Sequence, residues 1–409
     1  MEIQDITIVG AGAAGCFAGA VLGQINPRLQ VSILEKTRQP LAKVKISGGG
    51  RCNVTHHCFE VPSLIQSYPR GKEFLQGPFH RFQPQDMIEW LKDLGVELKT
   101  EADGRMFPIT NSSQTIINCF LGLLQKQKAN LCLESEVIKL IPTSVGFDVI
   151  LKDNQVIQSK KVLFATGGMG RSYAILEELG HFLEKPIPSL FTFELEEEWI
   201  KSLSGSVSPS ARVSIEGTPF AFRGPLLVTH FGLSGPAVLK LSAFAAKWLF
   251  DKGYKATALI NWTEEPTEAS LREALYQHKK SSPGKRMILT PLFSLSKNLW
   301  KALLMHISPA FEEKVWARVS KEELDLLAKL LYQMPFTIIG KSLNKEEFVT
   351  CGGVSLNEIH PKTMESRKVP GLYFAGEVLN IDGITGGFNF QNAWTSAWLA
   401  AQGMSSLLD

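Results

Sequence analysis

The sequence predicts an α/β fold, a doubly wound parallel sheet interrupted in mid-chain by a β-rich insert and a helical one. Three observations carry this expectation. An apolar, β-branched run, Ile6-Thr7-Ile8-Val9, leads into the turn Gly10-Ala11-Gly12-Ala13-Ala14-Gly15. The same succession of buried strand and glycine turn recurs at Lys161–Gly168 and at Gly371–Gly376. From about residue 190 to residue 350 the texture changes to short alternating runs and capped amphipathic segments.

Each element follows from local chemistry. Ile6–Val9 carries no charge, as a parallel strand covered on both faces requires. Cys16 to Gln24 is small and apolar and predicts a helix packed tightly on a sheet; Val31-Ser32-Ile33-Leu34-Glu35 is then the second strand of a βαβ unit of roughly 30 residues. Lys161–Gly168 and Gly371–Gly376 supply two further strands, so residues 1–190 and 351–409 are expected to form one discontinuous domain. Ala211-Arg212-Val213-Ser214-Ile215 before Glu216-Gly217-Thr218-Pro219 reads as an antiparallel strand and turn, which assigns 191–262 and 336–350 to a β insert. Residues 263–335 are read as a helical insert. There Thr267 begins a helix through Tyr276, Ser281-Ser282-Pro283-Gly284 marks a loop, and Ser320-Lys321-Glu322-Glu323 has the capping-box form before Leu324, Leu327, Leu330 and Leu331.

Composition bounds the function. At roughly 100 to 200 residues per domain, 409 residues suggest two to four domains, and 44% hydrophobic with 20% charged residues excludes general disorder. A net charge of +3 is too small for a dedicated nucleic-acid coat. Cys16, Cys52, Cys58, Cys119, Cys132 and Cys351 form no CxxC pair and are read as reduced thiols. MEIQDITIVGAGAAG places acidic residues and a glycine turn where a secretion signal needs basic and continuous apolar ones. Apolar stretches such as 241–250 fall well short of the roughly 20 residues of a bilayer span. The expectation is a cytoplasmic protein without a membrane partner.

In Gly10-x-Gly12-x-x-Gly15 the first glycine allows a tight turn, the second lets backbone approach a pyrophosphate, and the third lets helix pack on strand. Glu35 follows 20 residues after Gly15 at the end of the second strand, where a carboxylate accepts from a ribose diol and repels a 2′-phosphate. The ligand is therefore an adenine dinucleotide of the NAD or FAD type, the motif leaving the choice between them open. Lys45-Ile46-Ser47-Gly48-Gly49-Gly50-Arg51-Cys52-Asn53 is too compact for a core element and could lay backbone N–H groups along a ring or phosphate. Gly376 to Trp394 contains a third glycine-rich turn before a helix of small residues, whose N-terminus would stabilise an anionic reduced flavin.

Together, the Gly10 motif with Glu35, SGGGRCN at 47–53, ATGG at 165–168, LLVTHFGLSGPA at 226–237 and CGGVSLNEIHPKTMES with GLYFAGEVLNIDGITGGFNFQNAW at 351–394 resemble the BaiN/RdsA family of FAD-dependent oxidoreductases. Aminoacetone oxidase-type and YhiN-like flavoproteins belong to it, and the likeness covers nearly the whole chain. The resemblance implies a Rossmann-like FAD/NAD(P)-binding domain, a β-barrel-like insert and a small helical domain carried on it. It implies further that Gly10, Gly12, Ala13, Ala14 and Gly15 hold the pyrophosphate, Glu35 and Lys36 meet the ribose, and Ser47, Gly48, Gly49, Arg51, Cys52 and Asn53 lie along the flavin. Val137 takes the place of the residue whose backbone meets adenine. Ala165, Thr166, Gly167 and Gly168 close over the cofactor, and Gly376, Glu377, Asp382, Gly383, Gly387, Asn389 and Gln391 line pyrophosphate, ribityl chain and ring. One departure stands out: the family continues the ATGG turn with a longer Ser-, Pro- and Gly-Asp-Gly-bearing loop, whereas here Met169-Gly170-Arg171-Ser172 runs directly to Tyr173.

Cys52, His56, His57 and Cys58 lack the second ligand pair that structural zinc prefers, so no metal is expected. Cys52 lacks the partner thiol of a disulfide-reductase cycle, and packing against the ring is its expected role. His230 is a candidate proton donor over the flavin, although a histidine between apolar neighbours is more often a hydrogen-bonded core residue. No second GxGxxG is complete, so there is no dedicated nicotinamide domain; NAD(P)H is expected as a transient reductant of FAD, with a small organic molecule as substrate. An oxidase reduced by an amine or aminoketone and reoxidised by oxygen is the alternative. Outside that class stand an FAD-containing nucleic-acid-modifying protein, for which the nine Lys and Arg from Arg272 to Arg318 could form a basic face, and a flavin module without turnover. Glu and Asp interleave with those cations, which favours a solvated face. The sequence names neither the substrate nor the oligomeric state.

Overall fold

The computed structural model describes residues 3–168, 170, 172–342 and 349–405. Met169 and Arg171, within the shortened turn, and residues 343–348, within the 336–350 segment, lie outside the described residues. The chain divides into two compact units, residues 1–188 with 345–409, and residues 189–344.

The first unit is built on one sheet. Gln4–Val9 lies between two parallel neighbours, Val31–Leu34 and Val156–Phe164, with Val9 opposite Leu34 on one side and Phe164 on the other. Asn130–Cys132 extends the sheet beyond Val31–Leu34, and Leu372–Phe374 pairs in parallel with the C-terminal end of Val156–Phe164. The hairpin Val137–Thr143 and Gly146–Leu151 pairs antiparallel with its N-terminal half. Gly10, Glu35, Ala165 and Ala375 thus all stand at carboxyl ends of parallel strands, where doubly wound sheets bind ligands. The helix Ala13–Ile25 lies close on the sheet because its contact face is small: a Cβ on Gly19 would meet Ile33 Cδ1 at 2.7 Å. The C-terminal helix Phe388–Ser405 packs beside it, Trp394 meeting Phe17 edge-on at 5.5 Å.

In the second unit six strands close a barrel in the order Thr192–Leu195, Gly232–Ser234, Ala221–Val228, Val207–Ile215, Ala256–Asn261 and Met334–Ser342. Alternation fills its interior, Val207–Ile215 burying Ala211, Val213 and Ile215. The helices Glu268–Ser281, Lys297–Ile307 and Lys321–Tyr332 share one core with the barrel, Leu271, Leu303 and Leu327 clustering with Ile260 and Phe336. The capping box at Ser320 forms as the sequence predicts. The helix capped by Thr267 runs to Ser281, past Tyr276, because Lys279 and Lys280 favour its negative C-terminal end.

A buried network ties the turn after the helix Ser172–Glu178 to the segment before Leu372. His181 Nδ1 lies 2.8 Å from Glu358 Oε2 and its Nε2 3.1 Å from Ser366 Oγ, while Lys368 also pairs with Glu358. Burial lowers the His181 pKa below its ordinary 6.5 against the opposing pull of Glu358, and Lys368 lowers it further. Burial raises that of Glu358, but Lys368, His181 and the Phe182 amide outweigh it and leave the carboxyl below its ordinary 4.5. A depressed histidine pKa means that the unfolded chain takes the proton first, so stability is present above about pH 6.5 and falls as pH drops through that value. The Glu358 contribution is lost lower still, as pH falls below about 4.5. Urea midpoints measured from pH 7.5 to 5.5 should decline in the wild type and decline less in His181→Gln; equal slopes would refute this origin.

Candidate functional site

The three glycines of the first turn do three different things. Gly10 sits at φ +106°, where a Cβ would lie 2.5 Å from the Ala165 carbonyl oxygen, so only glycine fits. Gly15 is pressed on the same turn, its Cβ position 1.9 Å from the Gly10 oxygen. Gly12, the N-cap of the helix, has φ −82° and nothing within 4 Å of where a Cβ would be. No side chain caps that helix, which leaves its first-turn amides and their partial positive charge for an anion. Ala13 and Ala14 present only methyl groups there.

Glu35 stands beside this turn. Its Oε2 accepts from Ala11 N at 3.0 Å, and its Oε1 from Thr37 N at 2.9 Å and Thr37 Oγ1 at 2.8 Å, which leaves Oε2 acceptor capacity for a hydroxyl. Lys36 reaches toward the shortened turn, 3.7 Å from a Cβ position on Gly170. Val137 opens its hairpin strand opposite Leu151, half-buried.

The segment 45–53 is not wholly a loop. Ala42–Gly50 begins as helix and breaks at Ser47, after which Gly48, Gly49, Gly50 and Cys52 all take left-handed φ between +59° and +82°. Ser47 Oγ donates to Val44 O at 2.9 Å, and Arg51 donates to Glu101 at 2.6 Å with its guanidinium over Phe107. The Asn53 amide, oriented to satisfy both neighbours, donates to Thr55 O and accepts from Gly387 N. Cys52 is fully buried and burial pushes its thiol up to about 12, so it remains protonated at neutral pH.

Ala165 N donates to Val9 O at 2.9 Å, and Thr166 accepts from Ser172 at 3.1 Å. Gly167 follows at φ +80°, and Gly168 faces the Glu377 side chain, 2.8 Å from its Cβ position. Glu377 accepts from Lys43 Nζ and from Thr350 N, each at 2.8 Å. Gly376, at φ +77°, abuts Ala14 and donates to Ser396 Oγ. Beyond it the polar side chains hold their own loop. Asp382 pairs with Arg70; Asn389 accepts from Gly383 N and donates to Gly383 O; Gln391 accepts from Thr55 and donates to Thr395. Gly387 has no room for a side chain, a Cβ there meeting Thr55 O at 2.5 Å. What the loop offers a ligand is therefore mainly backbone.

Sequence reasoning missed Lys43, Arg70 and His56, whose ring stacks on Phe388 at 4.5 Å. Partners more than 300 positions away leave no local signal. His230 is not the core residue its apolar neighbours predict. The strand ends at Val228, and His230 is exposed in the turn before Gly232. The cations of 272–318 are largely paired, Arg272 with Glu268 and Asp325, Arg286 with Glu313, Lys301 with Glu312 and Lys314 with Glu323. Among the described residues no group of three or more His, Cys, Asp or Glu could hold a metal, and no helix is long and apolar enough to cross a membrane.

Residues 4–403 match the family model described as HI0933-like protein Rossmann domain. The chain belongs to the HI0933-like family. The chain is 31% identical over 415 residues to the ribosomal RNA dihydrouridine synthase of Escherichia coli, covering 98% of each chain. It is 27% identical over 414 residues to the 3-dehydro-bile acid delta(4,6)-reductase of Clostridium scindens, again covering 98% of each. Its fold is that of the 3-ketosteroid delta1-dehydrogenase of Sterolibacterium denitrificans, at TM-score 0.53 and 11% identity, with 99% of this chain and 100% of that one covered. As a HI0933-like protein the chain is an FAD-dependent oxidoreductase. The cradle fits that cofactor: Gly12 is open where a pyrophosphate would approach, an uncapped helix faces it, and Glu35 keeps an acceptor for a ribose.

Proposed function

We propose that this enzyme reduces a carbon–carbon double bond conjugated to a carbonyl, drawing its electrons from NAD(P)H. The observation that carries this is kinship over 98% of the chain with two relatives whose names differ in substrate and agree in bond change. A dihydrouridine synthase saturates the C5–C6 bond of a uracil, and a delta(4,6)-reductase saturates bonds conjugated to a 3-oxo group. FAD supplies a two-electron carrier between the nicotinamide and that bond. Overall, one hydride and one proton are added across the double bond while NAD(P)H becomes NAD(P)+. Gly10, Gly12, Ala14, Gly15, Glu35 and the 47–53 and 376–391 turns are its proposed cofactor contacts; the protein orients the ring and excludes water.

A second reading, that the double bond lies in a uridine of ribosomal RNA, is favoured by the 31% identity to the Escherichia coli relative. The paired cations of 272–318 argue that such an RNA would be bound elsewhere. Anaerobic addition of NADH or NADPH to the yellow protein should bleach the band near ~450 nm. Cyclohex-2-enone, uridine or ribosomal RNA is then admitted, and whichever restores the band names the acceptor class. Restoration by oxygen alone would replace this reading with the oxidase, and a protein that no nicotinamide bleaches would refute it.

A further inference from the structure

We propose that the turn Thr229–Gly232, at the rim of the barrel, is the subsite on which the uncharged, planar carbonyl ring of the substrate stacks, an inference that rests on the double-bond reduction proposed above. The barrel interior is filled, Phe193, Val213, Val228 and Ile260 all being buried, so a ligand of this unit has to sit at an end. A cavity of about 500 Å³ opens there, where the strand Ala221–Val228 turns into Gly232–Ser234.

The turn is rigid. Thr229 N donates to Gly232 O at 2.7 Å, Gly232 N donates back to Thr229 O at 3.2 Å, and Thr229 Oγ1 accepts from the amides of Phe231 and Gly232. Gly232 is fixed as glycine, since a Cβ would meet Phe193 O at 2.3 Å. On this frame His230 and Phe231 stack on each other with ring centroids 4.0 Å apart, and Phe231 is 47% exposed over the cavity. An exposed aromatic pair on a backbone whose hydrogen bonds are satisfied is a preformed face for another ring.

The lining selects by charge. No Lys, Arg, Asp or Glu borders the cavity; its polar groups are hydroxyls such as Thr192 and Ser204 and the His230 ring. A carboxylate or ammonium substrate would lose its hydration with no countercharge, whereas a ring carbonyl needs only a hydrogen-bond donor. The geometry therefore excludes unsaturated dicarboxylates and simple amines in favour of neutral cyclic enones and enamides.

The test uses the FAD-loaded protein and saturation-transfer NMR with cyclohex-2-enone, uridine and fumarate as probes. The two cyclic carbonyls should receive saturation and fumarate none. Phe231→Ala should reduce the transfer about fivefold or more, while Phe182→Ala, which removes another exposed aromatic side chain in the first unit, leaves it unchanged. In turnover Phe231→Ala should raise KM and leave kcat within about twofold. Equal transfer in wild type and Phe231→Ala, or binding of fumarate displaced by cyclohex-2-enone, would overturn the subsite. Phe231-dependent binding in a protein whose reduced flavin no carbonyl reoxidises would support the subsite and refute the reaction, so the two failures are distinguishable.

Discussion

A Gly12→Val protein is expected to fold normally and to purify without colour. Nothing lies within 4 Å of the Cβ position at Gly12, and φ −82° with ψ −164° is extended backbone that valine accepts, so the substitution disturbs no protein contact. Its stability should fall by no more than about 1 kcal/mol, the scale of a changed N-cap. The isopropyl group nevertheless occupies the space where a pyrophosphate approaches the helix N-terminus, and FAD retention should drop at least a hundredfold, about 2.7 kcal/mol by the affinity relation. Gly15→Ala is the converse. Its Cβ would lie 1.9 Å from the Gly10 carbonyl oxygen, so helix and strand must part, at a cost of about 3 kcal/mol. Urea unfolding and absorbance near ~450 nm separate the two effects. A Gly12→Val protein that keeps one FAD per chain would remove the first turn from the cofactor site.

This contrast shows where sequence reasoning reaches and where it stops. The βαβ unit, the glycine turn and Glu35 were legible because a buried strand, a turn and a capped helix each leave their signature within about 30 consecutive residues. That the three glycines differ, one bound by φ, one by packing and one by open space, was not, since Gly10, Gly12 and Gly15 are the same letter. The carboxylates of Glu377 and Asp382 read as cofactor contacts, yet Lys43 and Arg70 meet them across 334 and 312 positions. His230 was misplaced for a related reason: Leu226, Leu227, Val228 and Phe231 look like core, but Gly232 ends the run in a turn and carries His230 to the surface. Periodicity describes elements and is silent on which tertiary neighbour answers each charge.

The second large effect is expected at that Arg70–Asp382 pair. Asp382 is fully buried and the Arg70 side chain is 12% exposed; the guanidinium meets the carboxylate in a bidentate pair, Nε at 2.5 Å from Oδ1 and Nη2 on Oδ2. The contact joins the segment before Gly71 to the loop 381–384, where Ile384 N also donates to Ser67 O and a Cβ on Gly71 would strike Ile381. Asp382→Ala leaves a guanidinium without its countercharge in a desolvated site, which costs about 3 to 5 kcal/mol. Arg70→Ala strands the carboxylate and should cost about as much. The Arg70→Ala, Asp382→Ala double variant should cost clearly less than the sum, because no lone charge remains. The exposed pair Arg38–Glu134, 85% and 60% accessible, should yield a coupling under about 1 kcal/mol in the same experiment. Single substitutions at Arg70 and Asp382 should also speed FAD release, since Gly383 and Gly387 lie on the loop that the pair anchors. Additive losses with an unchanged release rate would instead assign the loop's rigidity to Asn389 and to Tyr68, whose hydroxyl donates to Phe388 O at 2.7 Å.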